Sequence, residues 1–232
     1  MEASNSEHIF FDLDRTLWDF DRNSRAALKQ IYNDRELSNY MPSFTHFLSK
    51  YEKINASLWD LYAQQKISKE ELRVKRFNDT LDVFNISNKE LAQKIATDYV
   101  KISPYQTHLF PQTVEVLNEL KSKGKKLHII TNGFLEVQHV KLENSKLKNF
   151  FDVILCSEEV GANKPDPKTF FTALEKAKAN INSSIMVGDD LISDIKGAEN
   201  IGMKSVLFDP NDNHKNIDHL KIKALSELKS HL

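Results

Sequence analysis

Two patterns of apolar residues alternate along the chain and predict its secondary structure. Five short runs rich in aromatic and branched aliphatic residues predict β-strands. These runs are HIFFD (8–12), KLHIIT (126–131), FDVILC (151–156), SIMVGD (184–189) and KSVLF (204–208). Apolar residues between the later runs recur at helical spacing. Strands that alternate with helices form parallel sheets with right-handed crossovers, and ligands bind at the carboxyl ends of such strands.

Residue types that start and stop helices support this interpretation. Pro111 can occupy the first position of a helix that ends before Gly124. Asp166 and Pro167 form an N-cap and N1 pair for a second helix. The final segment, residues 216–232, predicts a further helix that packs on the core. Its apolar positions at helical spacing are Ile217, Leu220, Leu225 and Leu228.

The segment from residue 21 to 103 differs from the rest because it has helical periodicity and no convincing strand pattern. Ser68 with Glu71, and Ser87 with Glu90, have the spacing of capping boxes at helix starts. The segment therefore predicts a four-helix or similar bundle. It separates the first two strands by far more residues than an ordinary crossover needs.

These elements predict an α/β protein with a Rossmann-like, three-layer core and a parallel sheet of five to six strands. We expect residues 1–20 and 104–232 to form this core, and residues 21–103 to form an all-helical cap inserted after the first strand. A chain of 232 residues is long enough to bury a core of this size.

Composition and charge exclude several classes of function. The 32 basic and 33 acidic residues give a formal net charge of -1, so the chain lacks the basic field of proteins that bind nucleic acid polymers. Cys156 is the only cysteine, which excludes an intrachain disulfide and favours a reducing compartment. No apolar run is long enough for a membrane, and the first residues lack a secretory signal. We therefore expect a cytoplasmic monomer or homodimer.

Two aspartates interrupt the end of the first apolar run. Asp12 and Asp14 alternate along the predicted strand, so both side chains face the same way, about 6 to 7 Å apart. Two carboxylates that point together repel each other unless a divalent cation or a shared proton relieves the repulsion. The alternative is an exposed strand end at which Asp14 begins a turn toward Thr16.

A second acidic strand end follows the fourth run, in the segment VGDDLISD (187–194). Asp189, Asp190 and Asp194 could supply further oxygen ligands to a metal. The alternative is that Asp190 or Ser193 only caps the following helix. Because acidic strand ends in one parallel sheet meet at the same edge, their joint occurrence favours a Mg²⁺ site.

Two further segments contain groups suited to an anion. The segment IITNG (129–133) lies between a predicted strand and a predicted helix. The Thr131 hydroxyl and the backbone N–H groups near Asn132 and Gly133 suit an oxyanion there, although a plain Asn-Gly turn is the alternative. Lys164 follows the third run and could offset the charge of the carboxylates and a phosphate, although most loop lysines are solvated.

The segments DLDRT, TNG, KP and GDDLISD, in this order and at predicted strand ends, resemble the four motifs of the haloacid dehalogenase superfamily. The resemblance covers essentially the whole chain and is to the subfamily with a helical cap between the first two motifs. It implies an Mg²⁺-dependent hydrolase of small phosphomonoesters that works through an aspartyl-phosphate intermediate.

The resemblance also implies roles for individual residues. Asp12 would be the nucleophile, and Asp14 would be the general acid for the leaving alkoxide and then the general base for water. Thr131 and the backbone amide of Asn132 would bind the phosphoryl group. Lys164 would orient Asp12, offset charge and contribute to phosphate binding.

The metal site implied by the resemblance uses oxygen ligands from both acidic strand ends. The implied ligands of Mg²⁺ are Asp12, the backbone carbonyl of Asp14, Asp189, and Asp194 either directly or through water. The role of Asp190 stays open, because the family pattern fixes the first acid after Gly188 more firmly than the second. Arg15 stands where many members of the family have glycine.

The second aspartate separates branches of the superfamily. Dehalogenases of this fold resemble DxYGT in the first motif and need no metal, whereas Asp14 supplies the acid that a phosphate ester requires. A phosphomutase would also keep Asp14, so a mutase and a sugar-phosphate phosphatase remain alternatives. A phospho-accepting signalling domain is a further alternative, but such domains are shorter and lack a helical insert.

The string DLDRTLWDFDRNS resembles the branch of cytosolic and house-cleaning 5′-nucleotidases that is named for a pyrimidine nucleotidase. This resemblance implies a nucleoside 5′-monophosphate as the substrate. Trp18 or Phe20 could stack on a base, or the two residues could only pack the linker between core and cap.

Overall fold

A computed structural model of the chain describes residues 6–215 and 217–231. The chain divides into two units. The first unit consists of Met1–Phe20 and Thr107–Leu232, and the second unit is Asp21–Gln106.

Six parallel strands form the sheet of the first unit, which confirms the predicted α/β class. They are β1 (His8–Phe11), β2 (Lys126–Thr131), β3 (Val153–Cys156), β4 (Ser184–Gly188), β5 (Lys204–Phe208) and β6 (Lys221–Ile222). Their order is β3-β2-β1-β4-β5-β6, so β2 and β3 lie on one side of β1, and β4, β5 and β6 lie on the other. Such a reversal of strand order opens a crevice at the carboxyl ends of β1 and β4.

Helices alternate with the strands in the first unit and make up the second. The α-helices of the described residues are α1 (Phe20–Asp34), α2 (Phe44–Ala63), α3 (Lys69–Val83), α4 (Lys89–Ile102), α5 (Thr113–Ser122), α6 (Leu135–Asn144), α7 (Pro167–Ala177) and α8 (Gly197–Asn200). A π-helical turn, Leu191–Lys196, leads directly into α8. No helix within the described ranges is long and apolar enough to cross a membrane.

Side chains of β1 alternate between two apolar layers, because successive residues of a strand point to opposite faces of the sheet. Ile9 and Phe11 belong to one buried cluster, to which α5 contributes Leu117. Phe10 belongs to a second buried cluster, to which α7 contributes Phe170. The sheet is therefore covered on both faces, as expected for parallel strands in a three-layer core.

The second unit is a helical bundle with an aromatic core. Phe47 and Tyr51 of α2, Phe77 of α3 and Tyr99 of α4 are all buried in one cluster. The ring centroids of Tyr51 and Phe77 lie 5.2 Å apart, and those of Phe77 and Tyr99 lie 5.6 Å apart. Aromatic contacts at these distances add to the free energy gained from burial.

The two predicted capping boxes of this bundle have different outcomes. Ser68 caps α3 as predicted: its Oγ accepts from the Glu71 N–H at 3.1 Å, and the Glu71 carboxylate accepts from the Ser68 N–H at 2.8 Å. The predicted box of Ser87 with Glu90 is wrong. Asn88 caps α4 instead, because its Oδ1 accepts from the Leu91 N–H at 2.9 Å.

Two predicted starts and one predicted end of core helices can also be compared. Asp166 caps α7 ahead of Pro167 as predicted, by accepting from the Lys168 N–H at 2.9 Å. Pro111 does not begin α5, because Gln112 adopts a left-handed φ of 64° that a helix cannot include. Gly124 follows α5 with a φ of 77°, as predicted for a glycine at the end of a helix.

The predicted C-terminal helix is replaced by a strand and a 3₁₀ turn. Lys221–Ile222 forms β6, and Leu225–Ser230 forms the turn. The tail forms a strand because the edge of β5 would otherwise present unpaired backbone groups. The Leu207 N–H of β5 donates to the Leu220 carbonyl at 2.9 Å. Leu225 and Leu228 are nevertheless buried against the core, as predicted. Asn216 lies outside the described residues.

Two buried histidines lie side by side on β1 and β2. His8 Nδ1 is 3.0 Å from His128 Nε2, and the nearly parallel rings have centroids 5.2 Å apart. The ring of Phe10 covers His128 at 4.7 Å. Burial lowers the pKa of His128 to about 4, and the neighbouring His8 adds to this shift. Both imidazoles are therefore neutral at neutral pH.

This pair predicts a loss of stability in mild acid. The unfolded chain protonates His128 near its ordinary pKa of 6.5, whereas the folded chain protonates it only near 4. Stability that depends on the neutral ring is therefore complete above about pH 6.5 and is lost as the pH falls toward 4. We expect this residue to lower the free energy of unfolding by about 2 kcal/mol between about pH 7.5 and 5, measured by urea denaturation.

The variant His128→Phe, which cannot take up a proton, is the matched control. It should lose correspondingly less stability between the same two pH values than the natural chain does. An equal loss in both chains would show that His128 does not cause the acid sensitivity.

Candidate active site

The acidic residues predicted from the sequence lie at the carboxyl edge of the sheet. Asp12 follows β1, and its N–H still donates to the Val187 carbonyl of β4 at 2.9 Å. Asp189 directly follows β4, and Asp194 lies in the π-helical turn after it. One carboxylate oxygen from each of the three residues lies within 4.8 Å of the other two.

Lys164 connects two of these three carboxylates. Its Nζ donates to Asp12 Oδ1 at 2.7 Å, to Asp194 Oδ1 at 2.6 Å and to the Ile130 carbonyl at 2.7 Å. The lysine is only 1% exposed. Burial lowers its pKa, but the two carboxylates outweigh burial and raise the pKa above its ordinary value. Lys164 is therefore a fixed cation, and all three of its N–H groups are used within the protein.

Burial raises the pKa values of the three clustered carboxyl groups. The pKa of Asp12 rises to about 7, because burial and the Asp194 charge outweigh the opposing effect of Lys164. The pKa of Asp189 is raised by burial and then by Asp12, and that of Asp194 is raised by burial despite Lys164. When all three carboxyl groups are ionised, they exceed the single ammonium by two negative charges. A divalent metal ion with a preference for oxygen ligands fits this donor set.

Gly188 allows Asp194 to fold back onto the end of β4. A Cβ atom at position 188 would lie 2.2 Å from Asp194 Oδ2, which is far inside contact distance. The same Oδ2 accepts from the Asp190 N–H at 3.1 Å. The glycine before the acidic pair is thus required by the close approach of a carboxylate.

Asp190, whose role the sequence left open, caps the π-helical turn. Its Oδ1 accepts from the N–H groups of Ile192 at 2.9 Å and Ser193 at 2.7 Å. Asp190 does not belong to the cluster of three carboxylates found among the described residues. The two acids after Gly188 therefore have different surroundings, with Asp189 in the cluster and Asp190 at the helix start.

Thr131, the last residue of β2, has a hydroxyl oxygen that accepts two hydrogen bonds. The Gly133 N–H donates to Thr131 Oγ1 at 3.1 Å, and Gln138 Nε2 donates to it at 2.7 Å. Because both lone pairs are occupied, the Thr131 O–H is left as a donor. Gln138 packs over Gly133 so closely that a Cβ there would lie 1.9 Å from Nε2. The glycine therefore has a packing role besides its place in a turn.

Asn132 uses its side chain to hold the loop that carries Lys164. Its Nδ2 donates to the Lys164 carbonyl at 3.0 Å, and its Oδ1 accepts from the Lys164 N–H at 2.8 Å. The Ser157 hydroxyl also donates to Asn132 Oδ1 at 2.6 Å. The side chain of Asn132 is thus engaged within the protein, and its backbone amide is the group predicted to contact an anion. Ser157 was missed at the sequence level, where no motif includes it.

Asp14 is held by two residues of α6 that the motifs did not indicate. Lys141 Nζ lies 2.6 Å from Asp14 Oδ1 and 2.9 Å from Oδ2, and Gln138 Nε2 donates to Oδ2 at 2.7 Å. Both α6 residues are buried. They are three positions apart on α6, which begins just after the TNG segment, and Lys141 directly precedes the buried Leu142. A polar pair on the buried face of this helix was the available signal in the sequence.

The turn after Asp14 sets the positions of Arg15 and of the aromatic residues Trp18 and Phe20. Arg15 has a left-handed φ of 65°, a conformation that glycine adopts more readily, and its guanidinium lies 4.4 Å from the Phe20 ring. Trp18 is fully buried in the core of the first unit, and Phe20 is partly buried against it. Trp18 therefore packs the core, and its ring is not available for stacking on a ligand.

Comparison with known proteins finds enzymes among the relatives of this chain. The model of the haloacid dehalogenase-like hydrolase family matches residues 9–208. Pyrimidine 5′-nucleotidase YjjG of Escherichia coli (strain K12) is 36% identical over 197 residues, which cover 84% of this chain and 82% of the relative. Glyceraldehyde 3-phosphate phosphatase of Methanothermobacter thermautotrophicus is 29% identical over 221 residues, which cover 94% of this chain and 92% of the relative.

A solved structure extends the similarity to the whole fold. The HAD-hydrolase YfnB from Bacillus subtilis, solved bound to magnesium, superposes with a TM-score of 0.87. It is 25% identical to this chain, and the superposition covers 97% of each chain. The predicted fold and the resemblance stated from the motifs are confirmed by these matches.

The adjacent acids at the end of β4 give a matched test of the metal site. We expect Asp189→Asn to weaken Mg²⁺ binding roughly tenfold or more, because it removes a charged oxygen ligand from the cluster. Asp190→Asn should bind Mg²⁺ nearly as well as the natural chain, since asparagine also caps helices. Isothermal titration calorimetry with Mg²⁺ measures both. Equal losses in the two variants would contradict the assignment of Asp189 to the cluster.

Proposed function

This chain belongs to the haloacid dehalogenase-like hydrolase family, and on that basis we propose that it is an Mg²⁺-dependent phosphomonoesterase that forms an aspartyl-phosphate intermediate. The observation that carries the proposal is the surroundings of Asp12. The Asp12 carboxylate accepts a hydrogen bond from Lys164 at 2.7 Å and lies in one cluster with the carboxylates of Asp189 and Asp194. Asp14 follows two residues after Asp12 in the sequence. A nucleophile, a fixed cation, an oxygen-ligand cluster and a second acid thus converge at one edge.

Asp12 would act as the nucleophile. One of its oxygens bonds Lys164, which leaves the other oxygen to attack the phosphorus of the ester. The bond between phosphorus and the ester oxygen breaks, and the phosphoryl group passes to Asp12. A carboxylate attacks a phosphate dianion poorly unless the charge of the phosphoryl oxygens is offset, and Lys164 contributes to that offset.

Asp14 would move the protons in both halves of the reaction. As a carboxylic acid it gives a proton to the leaving alkoxide, and as a carboxylate it then takes a proton from the attacking water. That water adds to the phosphorus of the aspartyl-phosphate, the bond to Asp12 breaks, and phosphate leaves. Asp12 returns as a carboxylate and Asp14 as an acid, so the cycle closes.

The phosphoryl oxygens would be bound by groups at the end of β2. The free O–H of Thr131 and the backbone N–H of Asn132 are the donors proposed for them. Lys164 would act mainly through its charge, because each of its N–H groups already has an acceptor. A direct bond from Lys164 to phosphate requires the exchange of one of those acceptors.

Mg²⁺ is the metal proposed for the acidic cluster. The residues that would hold it are Asp12, the backbone carbonyl of Asp14, Asp189 and Asp194, the last directly or through water. When bound, the ion would neutralise charge on the phosphoryl oxygens. Asp194 already gives one oxygen to Lys164 and one to the Asp190 N–H. A contact through water therefore suits Asp194 better than it suits Asp189.

The substrate we propose is a nucleoside 5′-monophosphate, with a pyrimidine base. The support is the relative named as a pyrimidine 5′-nucleotidase, which is 36% identical over most of both chains. A sugar-phosphate phosphatase is the second candidate, supported by the relative named as a glyceraldehyde 3-phosphate phosphatase. Asp14 favours hydrolysis of phosphate esters over dehalogenation in either case, because a haloacid needs no proton for its leaving halide.

Replacement of the nucleophile tests the chemistry. We expect Asp12→Asn to lower kcat for p-nitrophenyl phosphate roughly thousandfold or more, because an amide does not form the phosphoenzyme. Asp190→Asn, which alters only the helix cap, serves as the control and should keep most of the activity. Release of p-nitrophenol in the presence of Mg²⁺ is the measurement. Substantial turnover by Asp12→Asn would exclude Asp12 as the nucleophile.

A panel of phosphate esters tests the substrate class. We expect kcat/KM for UMP, dUMP and dTMP to exceed that for glyceraldehyde 3-phosphate and hexose phosphates by roughly tenfold or more, if contacts to the base contribute to transition-state binding. Phosphate release at fixed Mg²⁺ is measured for each ester. Preference for the sugar phosphates would replace the nucleotidase proposal with the second candidate, and the chemistry at Asp12 would be unaffected.

A further inference from the structure

Lys141 is a buried cation that belongs to none of the four motifs. Its side chain is 5% exposed, and its Nζ contacts both oxygens of Asp14, at 2.6 and 2.9 Å. We propose that Lys141, together with Gln138, is a positioning residue that fixes the carboxyl group of Asp14 for proton transfer to the leaving group. This inference rests on the proposed function, in which Asp14 is the general acid.

The burial of Lys141 separates it from ordinary surface ion pairs of this protein. The pair of Lys121 with Asp152 has side chains that are 36% and 46% exposed, and such pairs are mobile and weak. Lys141 instead lies 4.3 Å from the centroid of the buried Trp18 ring and 5.7 Å from that of Phe20. Cation–π contacts and packing limit the ammonium to one place, so the contact with Asp14 is fixed rather than transient.

Gln138 connects the position of Asp14 to the proposed phosphate-binding hydroxyl. Its Nε2 lies 2.7 Å from Asp14 Oδ2 and 2.7 Å from Thr131 Oγ1, so these two oxygens are at most twice that distance apart. Gln138 is fully buried, and its Oε1 has no partner within the part of the chain that the structure describes. The Gln138 amide thus leaves its Oε1 unpaired while its Nε2 donates to both Asp14 Oδ2 and Thr131 Oγ1. This arrangement indicates that the positions of these two oxygens determine the orientation of the amide.

The two α6 residues restrict Asp14 in complementary ways. Lys141 holds both carboxyl oxygens and so sets the plane of the group, whereas Gln138 holds one oxygen and sets its distance from Thr131. A general acid is effective only when its proton is within hydrogen-bond reach of the leaving oxygen. Loss of Lys141 should therefore misplace the acid while the Asp12 nucleophile and its Lys164 partner stay in place.

The leaving group distinguishes this role from a merely structural one. A strongly basic alkoxide, such as the 5′-oxygen of UMP, needs a proton as it leaves, whereas p-nitrophenolate leaves with little help. A misplaced acid therefore lowers kcat/KM much more for UMP than for p-nitrophenyl phosphate. A general loss of structure lowers both by the same factor.

The test compares the ratio of kcat/KM for p-nitrophenyl phosphate to that for UMP in four chains with Mg²⁺. The chains are the natural protein, Asp14→Asn, Lys141→Met and Lys141→Arg. We expect Lys141→Met, which keeps the apolar stem of the side chain, to raise the ratio roughly tenfold or more, in the direction of Asp14→Asn. Lys141→Arg, which keeps a cation able to bond both oxygens, should restore a ratio close to that of the natural chain.

Each result has one interpretation. Equal losses for both esters in Lys141→Met, or an arginine variant no closer to the natural ratio than the methionine variant, would overturn the positioning role. If Asp14→Asn itself leaves the ratio unchanged, the assignment of Asp14 as general acid fails, and the present inference fails with it. Circular dichroism and Mg²⁺ titration establish that each variant is folded, and Lys141→Gln replaces Lys141→Met should the latter not fold.

Discussion

The site depends on the repulsion among carboxylates that the fold brings to one sheet edge. Asp12, Asp189 and Asp194 place oxygens within 4.8 Å of one another, and burial makes their negative charges more costly than in water. One buried ammonium offsets only part of this charge. The cluster therefore has both the charge and the ligand type to attract a divalent cation, and the same repulsion that would destabilise an empty site favours binding.

Two buried lysines pair with three of the four carboxylates at this edge. Lys164 bridges Asp12 and Asp194 inside the cluster, and Lys141 holds Asp14 at its border. Asp12 and Asp14, two residues apart at one strand end, thus have different surroundings, as the proposed nucleophilic and proton-transfer roles require. Both lysines also bury their stems, Lys141 beside the Trp18 ring, so charge placement and core packing are achieved by the same side chains.

Close packing at the strand ends explains residue types that the motifs share. Gly188 has no space for a side chain beside Asp194, and Gly133 has none beside Gln138. Asn132 bonds the Lys164 backbone and the Ser157 hydroxyl, and so holds both next to the end of β2. Gly133, Gly188 and Asn132, which are typical of turns in a sequence, thus allow or make the close contacts that hold the site in the geometry of the proposed chemistry.

The sequence by itself determined the parallel α/β class, the family and the grouping of acids at one edge. These conclusions depend on local periodicity and on the rule that parallel strands end at the same edge of a sheet. Short segments such as 8–14 and 184–194 contain both the apolar strand pattern and the acids that follow it. Only the tertiary structure decided that Asp190 caps a turn, that Gln138 and Lys141 hold Asp14, and that the tail pairs with β5. The contacts of Gln138 and Lys141 with Asp14 join residues far apart in the chain, whose distances no local pattern encodes. The sequence around Asp190 allowed either a helix cap or a metal ligand, and only the fold chose between them.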